Sequence, residues 1–105
     1  MSKVSYATVY FLDSSKAIEF YMRKDTETLV QELKAAGDYH PGWSFEQEDS
    51  TDEDICEYAF DVTNNPSRQD EREFIYGRGR SVSVGDIVSV DGNEYLCNFV
   101  GWVKL

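Results

Sequence analysis

An α+β domain is the architecture this sequence predicts, and three observations lead there. Two segments space their apolar residues as helices do. The N-terminal stretch and most of the chain after Ser81 have strand-like composition and alternation. An Asp91-Gly92 pair marks a tight hairpin between two of the later strands. The expected form is two helices packed on a small, mainly antiparallel sheet with a C-terminal β-meander. With 105 residues, of which 41% are hydrophobic, residues 1–105 read as one domain. A domain of this size buries roughly 65% of its unfolded surface, enough for a single core.

The elements follow in order. Tyr6 to Leu12 is β-branched and aromatic and reads as a strand, closed by an Asp13-Ser14-Ser15 turn. Residues 17–23 fit two patterns. Ile18, Phe20 and Met22 alternate as in a strand, whereas Ile18, Tyr21 and Met22 suit a helix capped by Ser14 or Ser15; the alternation favours the strand slightly. Asp25-Thr26 opens a clearer helix with Leu29, Val30, Leu33 and Ala36 on one side and Gly37 as its stop. Tyr39-His40-Pro41-Gly42 reads as a loop, and Trp43 and Phe45 as a short strand with one wet face.

A second helix begins at Ser50-Thr51 and runs to about Thr63, where Asn64-Asn65-Pro66 ends it. Ser50 with Glu53, or Thr51 with Asp54, supplies a capping box. Residues 67–80 are polar and charged and read as an exposed, mobile loop. From Ser81 the pattern is β: Val82 and Val84 lead into Gly85-Asp86, Ile87 to Val90 is a strand, Glu94 to Cys97 returns from the hairpin, and Gly101 to Leu105 closes the meander.

The charge is concentrated. Twenty acids oppose ten bases, for a net −10. Residues 1–37 balance to zero and residues 67–105 to −1, so the 29 residues from 38 to 66 carry −9 without one Lys or Arg. Such a balance disfavours general binding to nucleic acid or anionic membrane, which carry the same sign. No window approaches the ~18 apolar residues of a membrane span, and Met1 to Ser5 has no apolar signal region. A cytoplasm is the expected location, consistent with two cysteines, Cys56 and Cys97, that form neither a disulfide framework nor a CxxC motif.

Within the second helix, Ile55, Tyr58, Ala59 and Val62 make a buried stripe, and Glu53, Asp54, Glu57 and Asp61 fall on the opposite face, each set within about 100° of arc. A solvated helix face explains this arrangement in ordinary terms. Two details favour more. The acids have no Lys or Arg at i+4 and repel one another, and Phe60 stands on the flank between the two faces, placed either under a loop or as an anchor for a basic partner. Carboxylates spaced along one face imitate a phosphate backbone. They do not make a calcium loop, because Asp49, Asp52 and Asp54 lack the glycine and glutamate that an EF-hand requires. No metal site and no cofactor is expected.

Other chemistry is sparse. Gly77-Arg78-Gly79-Arg80 offers Arg78 and Arg80 to phosphate, although a plain connection or pairing with the protein's own acidic helix is the leading reading, and it lacks the spacing of a GxGxxG or Walker loop. The single His40 lies in a loop with no spacing that pairs it with a cysteine, and Cys56 and Cys97 fit the core as small apolar residues. No GxSxG or HExxH occurs, so no enzymatic activity is expected.

From Ser81-Val82-Ser83-Val84-Gly85-Asp86-Ile87-Val88 through Gly92 and Tyr95 to Val100-Gly101-Trp102, preceded by Ala59-Phe60-Asp61-Val62-Thr63-Asn64-Asn65, the chain resembles small proteins of phages, plasmids and other mobile elements, including YodL-like domains. The likeness covers roughly the last half of the chain. It implies a small mobile-element protein acting in a bacterial cytoplasm and says little about activity. The leading functional expectation is an acidic protein-binding module that occupies a basic, nucleic-acid-binding surface of a host protein, in the manner of anti-restriction and anti-CRISPR inhibitors. Its contact residues would be Glu53, Asp54, Glu57, Phe60 and Asp61. A phosphate or nucleic-acid binder using Arg78 and Arg80, and an accessory protein with no discrete site, are the alternatives.

Overall fold

A computed structural model describes residues 3–70, 81–99 and 101–105. Along the chain lie strand β1 (Val4–Leu12), helices α1 (Glu19–Met22) and α2 (Thr26–Ala35), strand β2 (Tyr39–Glu48), helix α3 (Asp52–Asn64) and strands β3 (Ile87–Val90), β4 (Asn93–Asn98) and β5 (Gly101–Lys104). The strands form one antiparallel sheet in the order β2-β1-β3-β4-β5. This is the α+β fold the sequence predicts, with the meander β3-β4-β5 at its C-terminal end.

Alternation along β1 explains the layers. Ala7 and Val9 point to one face and meet Val88, Val90, Trp43 and Cys97 under the apolar stripe of α3, namely Ile55, Cys56, Ala59 and Val62. Leu12, on the other face, joins Ile87 and Leu96 beneath Phe20 of α1 and Leu29, Val30 and Leu33 of α2. The sheet is therefore covered on both sides. Coverage of the second face stops short of Tyr6, which stays exposed beside Ser44 and Glu46.

Two expectations are corrected. Residues 17–23 do not form a strand. Asp13 Oδ1 accepts from the Ser15 backbone N–H at 3.0 Å and starts a 3-10 turn over Ser14–Lys16, which passes into α1. Only Phe20 of that helix is buried, so a single inward side chain decides the conformation and the period-2 alternation is incidental. Residues 39–42 are not a loop; they extend β2 by four residues. Pro41 is tolerated because β2 is an edge strand whose missing N–H costs no ladder bond. The register slips between Val9 and Tyr10, leaving Gly42 as the bulged residue. A Cβ there would stand 2.2 Å from the Phe11 ring, so only glycine fits.

The hairpin behaves as its sequence requires. Asp91 and Gly92 both have positive φ, 49° and 89°. Asp91 Oδ1 also accepts from the Tyr6 N–H at 2.9 Å, extending the contact between β1 and the β3–β4 turn. Asp86 pins the opposite end. Its carboxylate is fully buried and accepts from the Leu12 N–H and the Ser83 N–H, both at 2.8 Å.

The C-terminal end of α3 is stitched to the lead-in of β3. Thr63 Oγ1 accepts from the Val82 N–H at 3.0 Å, Asn64 Nδ2 donates to the Val82 carbonyl at 2.8 Å, and Ser81 Oγ donates to the Thr63 carbonyl at 2.6 Å. The last of them occupies the Thr63 carbonyl, one of those a helix end leaves open. The three bonds also join two sequence stretches, 59–65 and 81–88, that lie on either side of the polar segment.

Candidate functional site: the α3 acidic face and the adjoining groove

The start of α3 is fixed by a capping box formed by Thr51 and Asp54, so of the two pairs the sequence offers, Ser50 with Glu53 is not used. Thr51 Oγ1 accepts from the Asp54 N–H at 3.1 Å, and Asp54 Oδ2 accepts from the Thr51 N–H at 3.3 Å. The buried stripe then turns the acids outward. Their environments differ, although the sequence presents them as one set.

Asp54 is engaged in the cap. Asp61 is only half-exposed and is held by Arg68 Nη1 and by Asn65 Nδ2, the latter at 3.1 Å. The guanidinium hydrogen-bonded to it keeps the Asp61 carboxyl below the usual carboxylate range. Arg68 also lies over the Tyr58 ring, 5.4 Å from its centroid. One helical acid, Asp61, therefore does find a cation, seven residues on and beyond the helix end, where an i+4 rule does not look. Arg68 reaches it because Pro66–Arg68 forms a 3-10 turn capped by Asn65, whose Oδ1 accepts from the Ser67 N–H at 3.0 Å. The expected loop over 67–80 is thus an ordered turn at its start. Residues 71–80, Arg78 and Arg80 among them, lie outside the described residues.

Asp52, on the other side of the helix start, accepts from the Tyr95 hydroxyl of β4. That bond to a carboxylate pushes the Tyr95 phenol up to about 12. What remains on the outward face is Glu53 and Glu57, both exposed. Among the described residues neither has an ion-pair partner.

Beside Glu57, Phe60 is 39% exposed and forms one wall of a groove of about 210 Å³. Phe99 and Trp102, flanking the β4–β5 turn, form the rest, with Glu57 at the rim and Cys97 beneath. Phe99, 55% exposed, packs edge-on against Tyr21 of α1 with ring centroids 4.7 Å apart. Ile18, just before α1, and Tyr21 and Met22 within it are also exposed. Phe60 is thus on the surface and not under a loop of the described residues. Reading the sequence for helical faces finds Phe60 but misses Phe99 and Trp102. The available signal is the run Phe99-Val100-Gly101-Trp102, which is apolar where a strand-to-strand turn ordinarily is not.

The thiols lie beneath this surface, Cys97 directly under the groove. Cys56 and Cys97 are buried in the α3-side core, and burial pushes each up to about 12, the wrong direction for a nucleophile. His40 lies exposed on β2. Among the described residues no group of three or more His, Cys, Asp or Glu stands close enough to hold a metal ion, and no helix is long and apolar enough to cross a membrane. Compared with protein-family models, curated proteins and solved structures, the chain matches none.

Proposed function

We propose that the protein is an acidic binding module that docks through α3 onto a basic surface of a host protein, and that this surface is one the host uses to hold nucleic acid. The observation that carries the reading is the pair Glu53 and Glu57. They stand one turn apart, exposed and without a cation among the described residues, next to the half-exposed Phe60. Like charges at i and i+4 destabilise a helix, and an exposed aromatic beside them supplies the apolar anchor that a charged rim surrounds in protein interfaces. Desolvation against Lys and Arg turns that cost into attraction. Small size and strong acidity are what anti-restriction and anti-CRISPR inhibitors have in common with this chain.

The contact residues rank by how far each is already engaged within the chain. Glu53, Glu57 and Phe60 are the primary contacts; Asp54 and Asp61 add to the field but are tied to Thr51 and Arg68. The test is capture of a partner from bacterial lysate on immobilised protein, eluted along a salt gradient. Glu53→Lys with Glu57→Lys, and separately Phe60→Ala, should abolish capture while the circular dichroism stays native. Capture that survives the double charge reversal overturns the proposal.

A further inference from the structure

The outer edge of the sheet at β5 adjoins the Phe60 groove, and the two together describe a seat for an extended chain. The Leu105 N–H donates to the Glu94 carbonyl at 2.9 Å. With Leu96 opposite Val103 and Asn98 opposite Gly101, the antiparallel alternation turns the backbone groups of Gly101, Val103 and Leu105 toward β4. The N–H and C=O groups of Trp102 and Lys104 therefore point outward, and among the described residues no strand lies beyond them. The opposite edge of the sheet, β2, is blunted by Pro41, the Gly42 bulge and exposed Glu46 and Glu48. β5 has no proline, bulge or acid, and its one charged side chain is Lys104, at the end of the strand away from Gly101.

We propose that β5 accepts an extended segment of the partner as a sixth strand, and that this segment alternates apolar residues with Arg or Lys. Charge selects the occupant. A strand beside β5 places every second side chain on the α3 face, over Trp102 and Phe60 and within the field of Glu57. An arginine there stacks its guanidinium on an aromatic ring while meeting a carboxylate. The intervening side chains fall on the other face beside the exposed Val103. A second copy of the chain fits poorly, because strands paired edge to edge would set two acidic helices on the same face of one continuous sheet, each from a chain of net charge −10. The inference rests on the reading of α3 as an acidic docking face and adds main-chain pairing to it.

The test is titration of the isotope-labelled protein with a synthetic peptide of about six residues alternating Val and Arg, a usual strand length. Shifts and slowed hydrogen exchange at the Trp102 and Lys104 amides are expected. Lys104→Pro, which removes an outward donor and leaves the β4 ladder intact, should weaken binding by about tenfold. The same peptide N-methylated at alternate amides should fail against the unaltered protein, which keeps the test independent of any variant's folding. Glu57→Gln should weaken binding and flatten its salt dependence.

Binding that responds to Glu57→Gln and salt, but not to Lys104→Pro or N-methylation, overturns strand addition and leaves the acidic reading standing. Binding lost on N-methylation yet indifferent to Glu57→Gln and salt overturns the acidic reading instead. No binding at all overturns strand addition, while the lysate experiment decides the acidic face separately. Protection at the two amides that grows with protein concentration, without peptide, assigns the edge to a second copy and also overturns it.

Discussion

Asp86 shows how one side chain connects distant parts of this chain. Its two carboxylate oxygens accept from Leu12, at the end of β1, and from Ser83, three residues earlier, all within a buried site. Truncation strands the buried Leu12 N–H and leaves the part-buried Ser83 N–H without its acceptor. Asp86→Ala should therefore lower unfolding free energy by about 2–4 kcal/mol, read from urea denaturation. A loss under about 1 kcal/mol would mean that water replaces the carboxylate. Gly85 beside it has φ of 98°, and a Cβ there would lie 2.8 Å from a Leu12 methyl, so the Gly-Asp pair has no simple substitute. The alkaline limb is also set by single residues. Cys56 and Cys97 are raised from 9.0 to about 12 by burial, and Tyr95 from 10.0 to about 12 by its bond to Asp52. A group raised in the folded state adds stability that is whole below its unfolded value and is lost as pH climbs through the folded one. The melting temperature should hold to about pH 9 and then fall toward pH 12; a flat profile across that range contradicts the assignment.

At the scale of the element, α3 separates stability from binding. Glu53 and Glu57 repel across one turn, while the helix dipole favours Glu53 in the first turn. The two effects offset, so Glu53→Gln with Glu57→Gln should move stability by no more than about 0.5 kcal/mol in urea denaturation. Partner capture should fall in the same variant. Loss of both stability and capture would point to a structural role for these acids. This helix and α2 are legible in the sequence because their signals are local: a cap, a periodic stripe and a stop within one window. The Asp91-Gly92 hairpin is legible for the same reason. What the sequence hides depends on neighbours far along the chain. Residues 17–23 become helix because Phe20 has a place under Gly85, and Pro41-Gly42 stays in a strand because that strand lies at an edge. Half of the candidate site was legible in the same way. Phe60 and the acids share one helix, whereas Phe99 and Trp102 reach the groove only when β4 and β5 pair, and Asp61 loses its freedom only when the 3-10 turn returns Arg68.

Across the whole molecule, the net charge of −10 opposes compaction, and most of it lies between residues 38 and 66. Self-repulsion of this kind is screened by salt, with a Debye length of about 8 Å at 0.15 M. Melting should therefore shift upward as sodium chloride rises from a few millimolar to about 0.15 M, and the shift should shrink in the Glu53→Lys, Glu57→Lys variant. No salt effect would show that the carboxylates are already compensated.

Strand β1 has a consequence in time. It is the second strand in spatial order, yet its partner on one side ends at Glu48 and its partner on the other begins at Ile87. Ala7 meets Val90, so during synthesis the earliest strand waits, half-paired, until residue 90 has left the ribosome. The β1–β2 ladder can close first, but its inner edge stays open to any other extended chain meanwhile. Pairings this remote slow folding. The interval between making the first strand and sealing it with β3 is when this protein is most exposed to misassembly, and slower synthesis lengthens it.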